Sequence, residues 1–287
     1  MFSILPFIGV LGLATGTIWE KFLLRTRKIS FQAFHVLGFL AIVLILLPLM
    51  FFLGKVHPNA FTELNLAILV LVVIFSTLAN LFAYYSIKHE KISNLEPARA
   101  MEPLFVILLS IIFSFVFGTA LYDRNLHLII PAVIAGLALV VSHVRRHHLN
   151  FNKAFLCAIA GSFFFGLELI VSRLILDFYT PLTFYFFRCT GVLILSIIFV
   201  KTRIKEFPQD KKFLIQMLAI GAIWVAYRFI IYYGYVNLGV VSTTLTIMLG
   251  PVLVYFFAWE LLKEKLEWRN VIAGIIILLC VVYAGFF

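Results

Sequence analysis

The sequence predicts an all-α polytopic membrane protein with ten transmembrane helices, two inverted five-helix repeats around a central cavity. Three observations lead there. The 287 residues are 63% hydrophobic and 13% charged, against roughly 25% charged in a typical soluble domain. Apolar stretches of about 20 residues, enough to cross a ~30 Å hydrocarbon core as helices, follow one another with short connections. The stretch Tyr84–Pro103, YYSIKHEKISNLEPARAMEP, is answered without a gap by Tyr232–Pro251, YYGYVNLGVVSTTLTIMLGP. Tyr84 and Tyr85 fall on Tyr232 and Tyr233, and Pro103 falls on Pro251.

The predicted spans of the first half are Ile4–Leu24, Ala33–Leu53, Leu64–Ile87, Ile92–Phe117 and Leu126–His143. Those of the second are Lys153–Leu176, Leu182–Lys201, Phe213–Val236, Val240–Leu262 and Trp268–Phe286. The longest polar interval is Lys201–Lys212, KTRIKEFPQDKK, so no water-soluble domain intervenes. The chain divides into residues 1–148 and 149–287, one repeat each, forming a single transport unit. Gly12 and Gly16 in the first span match Ser162 and Gly166 in the sixth; small residues four apart let neighbouring helices approach closely. An odd number of spans per repeat inserts the second half upside down, the plan of secondary transporters with a midplane site. The N-terminus enters an apolar run with neither a basic leader nor a small-residue cleavage site, so no cleavable targeting segment is expected.

Loop charges give an orientation. The odd-numbered loops hold seventeen Lys and Arg, and the even-numbered loops only Lys55, Arg124 and Arg173. The positive-inside rule then places the odd loops in the cytoplasm and both termini outside. The net charge of +10 therefore sits in short loops that set topology and forms no nucleic-acid groove. Cys157, Cys189 and Cys280 lie far apart inside apolar runs. They have neither metal-ligand spacing nor a disulfide framework, and no metal or cofactor is expected.

Charged residues inside a span cost roughly 2.5–3.5 kcal/mol at the bilayer centre on insertion scales, and so face a cavity or a partner. Here they are Glu96, Arg99, Glu102, Glu168, Arg188 and Arg228, with Glu20 near the end of the first span. A rise of 1.5 Å per residue sorts them into two ionic layers. Glu20, Glu96, Arg99 and Glu102 descend from the odd-loop face, and spacings of three put the last three on one stripe. Glu168, Arg188 and Arg228 lie beyond the midplane. Trp19, Asn80, Tyr84, Trp224, Tyr227 and Tyr232 fall between or beside the layers, and Asn80 and Arg228 are each four residues before the first Tyr of the pair. The expected substrate site is Trp19, Asn80, Tyr84, Glu102, Arg188, Trp224, Tyr227, Arg228 and Tyr232. Glu20, Glu96, Arg99 and Glu168 are expected as gate residues, and Pro103 and Pro251 mark hinges or plain kinks where a backbone bond is lost. Purely structural ion pairs are the competing reading of the charged set.

The paired Tyr-Tyr…Pro stretches are each followed by a turn similar to a "GE-R/K-L" signature, TALYDRNL after the fourth span and LLKEKLEW after the ninth. With these motifs the whole chain resembles the EamA-type branch of the drug/metabolite transporter superfamily. The matching residues are Tyr84, Tyr85, Pro103, Tyr232, Tyr233, Pro251 and Glu264-Lys265-Leu266, while Asp123-Arg124 stands where the pattern has Gly-Glu. The resemblance implies a ten-helix permease for amino acids, amines or nucleotide-linked sugars, with both termini in the cytoplasm, opposite to the loop charges.

The function expected is a secondary carrier that moves a small polar or zwitterionic metabolite across a prokaryotic plasma membrane by alternating access, as a monomer or homodimer. Glu102 and Glu168 are the candidates for coupling to protons. An organic-anion or nucleotide-sugar/phosphate exchanger of the same fold is the alternative. An intramembrane enzyme or non-transporting scaffold is the alternative of another class, but no HExxH or GxSxG pattern occurs.

Overall fold

A computed structural model of the chain describes residues 5–26, 29–90, 92–119, 121–122, 125–143, 152–199, 210–250, 252–253, 260 and 268–286. They form eleven helices: α1 Leu5–Thr26, α2 Phe31–Leu53, α3 Glu63–His89, α4 Ile92–Arg99, α5 Met101–Phe117, α6 Leu126–His143, α7 Lys153–Arg173, α8 Pro181–Phe199, α9 Lys211–Asn237, α10 Val240–Ile247 and α11 Trp268–Phe286. Among the described residues the extended structure is one isolated bridge, Val56 to Tyr179. Among the described residues seven helical stretches are long and apolar enough to cross a membrane, and Leu126–Ser142 and Val271–Gly285 are shorter apolar helices. Large apolar side chains such as Phe51, Phe52, Phe115 and Phe199 point outward, where lipid takes the place of a core. This is an integral membrane protein.

Local signals set several boundaries. Ser30, Asn152 and Asp210 cap α2, α7 and α9 by accepting from Ala33 N, Phe155 N and Lys212 N, each satisfying an orphan amide of the first turn. The fourth span is not continuous as the sequence reading had it. It breaks at Ala100 between α4 and α5. Pro103 supplies no N–H to the carbonyl four residues back, Arg99, and its ring crowds that carbonyl, so the helix parts there. The ninth span breaks too: α10 ends at Ile247 with Met248 as its cap. Pro251, the corresponding proline, lies outside the described residues. The sixth span ends at Arg173, three residues short of the expected Leu176.

The element bounds recur. α7, α9 and α10 each start 148 positions after α1, α3 and α4, and both the α3/α9 and α4/α10 pairs match in length, 27 and 8 residues. Packing runs between the halves as much as within them, with α3 lying along α7, α1 along α9 and α2 along α8. Small residues allow this. A Cβ on Gly161 would meet Ala79 O at 3.2 Å and Ala83 N at 3.3 Å, and one on Gly16 would meet Trp224 at 3.3 Å. The backbone of α3 opposite Gly161 cannot step aside as a side chain could. Gly161→Val is therefore expected to lose roughly 1–3 kcal/mol by overpacking, read as earlier thermal unfolding in detergent; an unchanged midpoint would contradict the close α3–α7 crossing.

On the even-loop face the two halves are tied together. Residues 54–62 and 174–180, from opposite halves, zip together through His57 N to Phe178 O (2.8 Å) and Thr180 N to Lys55 O (3.2 Å). Tyr122, buried below them, donates to Ile170 O at 2.7 Å. On the odd-loop face, Lys88 Nζ donates to Leu24 O and Ile29 O (3.2 and 2.8 Å) and fixes the end of α1.

Candidate substrate site

A cavity of about 100 Å3 lies between the halves. At about 10–15 Å3 of such space per water, it has room for several waters. Every long helix from α1 to α9 except α6 contributes to it, as does α4 through Arg99. Its apolar wall is Leu13, Phe34, Phe39, Ile42, Ile87, Met217 and Ile220, and its polar groups are Glu20, Asn80, Tyr84, Arg99, Glu102, Tyr185, Arg188, Trp224, Tyr227 and Arg228. Of the nine residues expected to contact substrate, seven line it. The exceptions are Trp19, which packs into the apolar cluster around α1 and α2, and Tyr232, which is fully buried behind the wall. Of the expected gate residues, Glu20 and Arg99 line the cavity, Glu168 sits beside it, and the Glu96 side chain lies outside the described residues.

The deeper ionic layer is a closed knot. Glu168 of α7 has no solvent exposure. Arg188 Nε stands 3.3 Å from its Oε1, and Arg228 Nη1 stands 3.4 Å from its Oε2. Tyr232 donates to Glu168 Oε1 at 2.9 Å and accepts from Arg188 Nη1 at 2.8 Å. Arg188 also donates to Ser76 Oγ of α3 through Nε and Nη2, at 3.0 and 2.6 Å. Two guanidiniums share one carboxylate, so the knot carries a net positive charge toward the cavity. Arg228 is the less committed of the two: its Nη1 has no hydrogen bond, and its guanidinium lies over the Phe165 and Tyr227 rings at 5.6 and 5.9 Å. This is the cation–π arrangement that holds a desolvated cation in place.

In the layer nearer the odd-loop face the hydrogen bonds to Glu20 come from neutral groups. Glu20 Oε1 accepts from Tyr84 OH at 3.1 Å and from Trp224 Nε1 at 2.8 Å, both neutral donors. Glu102 lines the cavity, and among the described residues no hydrogen bond or ion pair holds its carboxylate. Sequence reasoning missed Ser76 and Tyr185, whose types carry no signal in an apolar run. It also missed that Glu20 and Tyr84 are separated by 64 positions, as are Glu168 and Tyr232.

Among the described residues no group of three His, Cys, Asp or Glu is placed to hold a metal ion. A profile of the EamA-like transporter family matches the chain twice, over residues 2–142 and 152–286. No curated protein matches. A crystal structure of a protein 16% identical superposes over 99% of this chain and 96% of its own, with a TM-score of 0.71; at that identity the likeness concerns fold alone.

Proposed function

We propose that this chain, which belongs to the EamA-like transporter family, is a secondary active carrier for a small zwitterionic metabolite such as an amino acid, working by alternating access in a prokaryotic plasma membrane. The reading includes ten spans in two inverted repeats and coupling to protons. The observation that carries it is that Glu102, whose carboxylate makes no hydrogen bond or ion pair among the described residues, and Arg228, whose Nη1 makes no hydrogen bond, line one cavity. A zwitterion supplies the missing partner to each: its ammonium to Glu102 and its carboxylate to Arg228, as charge-assisted hydrogen bonds. Trp224 and Tyr227, edge-to-face at 5.4 Å, offer ring faces to an ammonium or an apolar side chain.

The test is counterflow in proteoliposomes loaded with a mixture of amino acids and amines. Saturable exchange is expected, with Glu102→Gln and Arg228→Lys each lowering it about 10- to 100-fold, the scale of one lost charged hydrogen bond. Both variants are expected to remain monodisperse in detergent. Ohmic current without saturation would point to a channel, and normal exchange by both variants would remove the site.

A further inference from the structure

We propose that Arg228 and Asn80, which hold equivalent places in two copies of one Glu–Tyr clasp, decide which face of the membrane the cavity opens to. The inference rests on the carrier reading. It starts from the hydrogen bonds Tyr84–Glu20 and Tyr232–Glu168, which join the same helices of each half, α3 to α1 and α9 to α7. Glu168 and Tyr232 lie 148 positions after Glu20 and Tyr84, the same shift that relates the helix starts.

Each clasp is stapled to the opposite half. Glu20 takes the indole N–H of Trp224 on α9, and Glu168 is tied through Arg188 to Ser76 on α3. Ser76 and Trp224 are themselves related by the shift of 148. The polarity of the long helices puts the Glu20 clasp toward the odd-loop end of the cavity and the Glu168 clasp toward the even-loop end.

The two copies differ in charge. One turn before its tyrosine, the second clasp has Arg228, 3.4 Å from Glu168. The first has Asn80 at that place, and Asn80 donates to its own helix at Ser76 O instead. Hydrogen bonds and ion pairs to a charged donor are roughly twice as strong as those to a neutral one. The even-loop clasp is therefore the stronger, and the even-loop face is the one where the backbone bridge at Val56–Tyr179 ties the halves together. Moving the arginine from one copy to the other moves the stronger clasp to the other face.

The experiment exchanges the two residues, Asn80→Arg with Arg228→Asn, after Cys157, Cys189 and Cys280 have been replaced by Ala. Two reporters at equivalent depth, Ile87→Cys and Tyr235→Cys, are introduced separately, and labelling by a membrane-impermeant maleimide is followed in oriented vesicles. With Arg228 in place, the reporter at position 87 is expected to label from the odd-loop face and the one at 235 to stay protected. In the exchanged protein the labelling rate is expected to rise at least about tenfold at 235 and fall by a similar factor at 87, the change a differential of one charged contact produces. Should the exchanged protein not fold, each single substitution is expected to shift both reporters in the same sense by a smaller factor. Unchanged labelling in every folded variant overturns the proposal. A rise at both positions also overturns it, because that is loosening without a change of side. Counterflow measured on the reporter proteins that keep Asn80 and Arg228 holds the two readings apart: saturable exchange there, with reporters that the swap leaves unmoved, sinks the clasp proposal alone, and no exchange there sinks the carrier reading.

Discussion

Replacing Glu168 by alanine is expected to cost roughly 3–5 kcal/mol of stability, the penalty for leaving a buried ion without its partner. The carboxylate is fully buried, and two guanidiniums that are themselves nearly inaccessible converge on it. Deleting it leaves two like charges in a low-dielectric site with Tyr232 and Ser76 as their remaining hydrogen-bonding neighbours. Thermal unfolding in detergent checks this, and the triple substitution Glu168→Ala, Arg188→Leu, Arg228→Leu is the control. Removing the whole charged set is expected to recover much of the loss, since apolar groups of similar volume often replace a buried ion pair without penalty. Glu168→Ala unfolding at the native temperature would mean that the guanidiniums find water the cavity does not now offer them.

A disulfide across the even-loop seal is expected to arrest transport almost completely and reversibly. The bonds His57 N–Phe178 O and Thr180 N–Lys55 O flank the bridge, so Val56 and Tyr179 face each other as a non-hydrogen-bonded antiparallel pair. In such pairs the Cα atoms approach to about 4.5 Å, within disulfide reach. In the protein lacking its native cysteines, Val56→Cys with Tyr179→Cys should lose counterflow under oxidant and regain it under reductant, while either substitution alone is insensitive. Undiminished exchange by the crosslinked protein would show that transport does not require these two loops to part.

The apolar architecture was legible because it is written in length and composition. The span boundaries mostly hold, since a run of about 20 apolar residues admits few other structures in lipid. The broken fourth helix is readable in principle from Pro103, a hinge or kink candidate; the break falls three residues earlier because the missing bond belongs to Arg99 and its neighbours. The set Glu168, Arg188 and Arg228 is legible by counting depth, because opposite charges at one level of an apolar medium draw together. The hydrogen bonds that Glu20 accepts come from a phenol and an indole. Nothing in a sequence distinguishes a carboxylate facing a cation from one facing two neutral donors 64 and 204 positions away. The equivalence of Glu20 and Glu168 could have been seen. Matching the first and sixth spans on their glycines used a shift of 150, whereas carrying the Tyr84–Tyr232 shift of 148 back along the chain lands one glutamate on the other.

The interleaving of the halves bears on how the protein is made. Because α3 lies along α7 and α1 along α9, the helices of the first half leave the ribosome before the surfaces they settle against exist. Until α7 arrives, the groove that receives Gly161 stands open to lipid, and Ser76 and Asn80 wait on it without their later neighbours. Maturation of this chain thus hinges on α7 and α9 settling against helices already inserted.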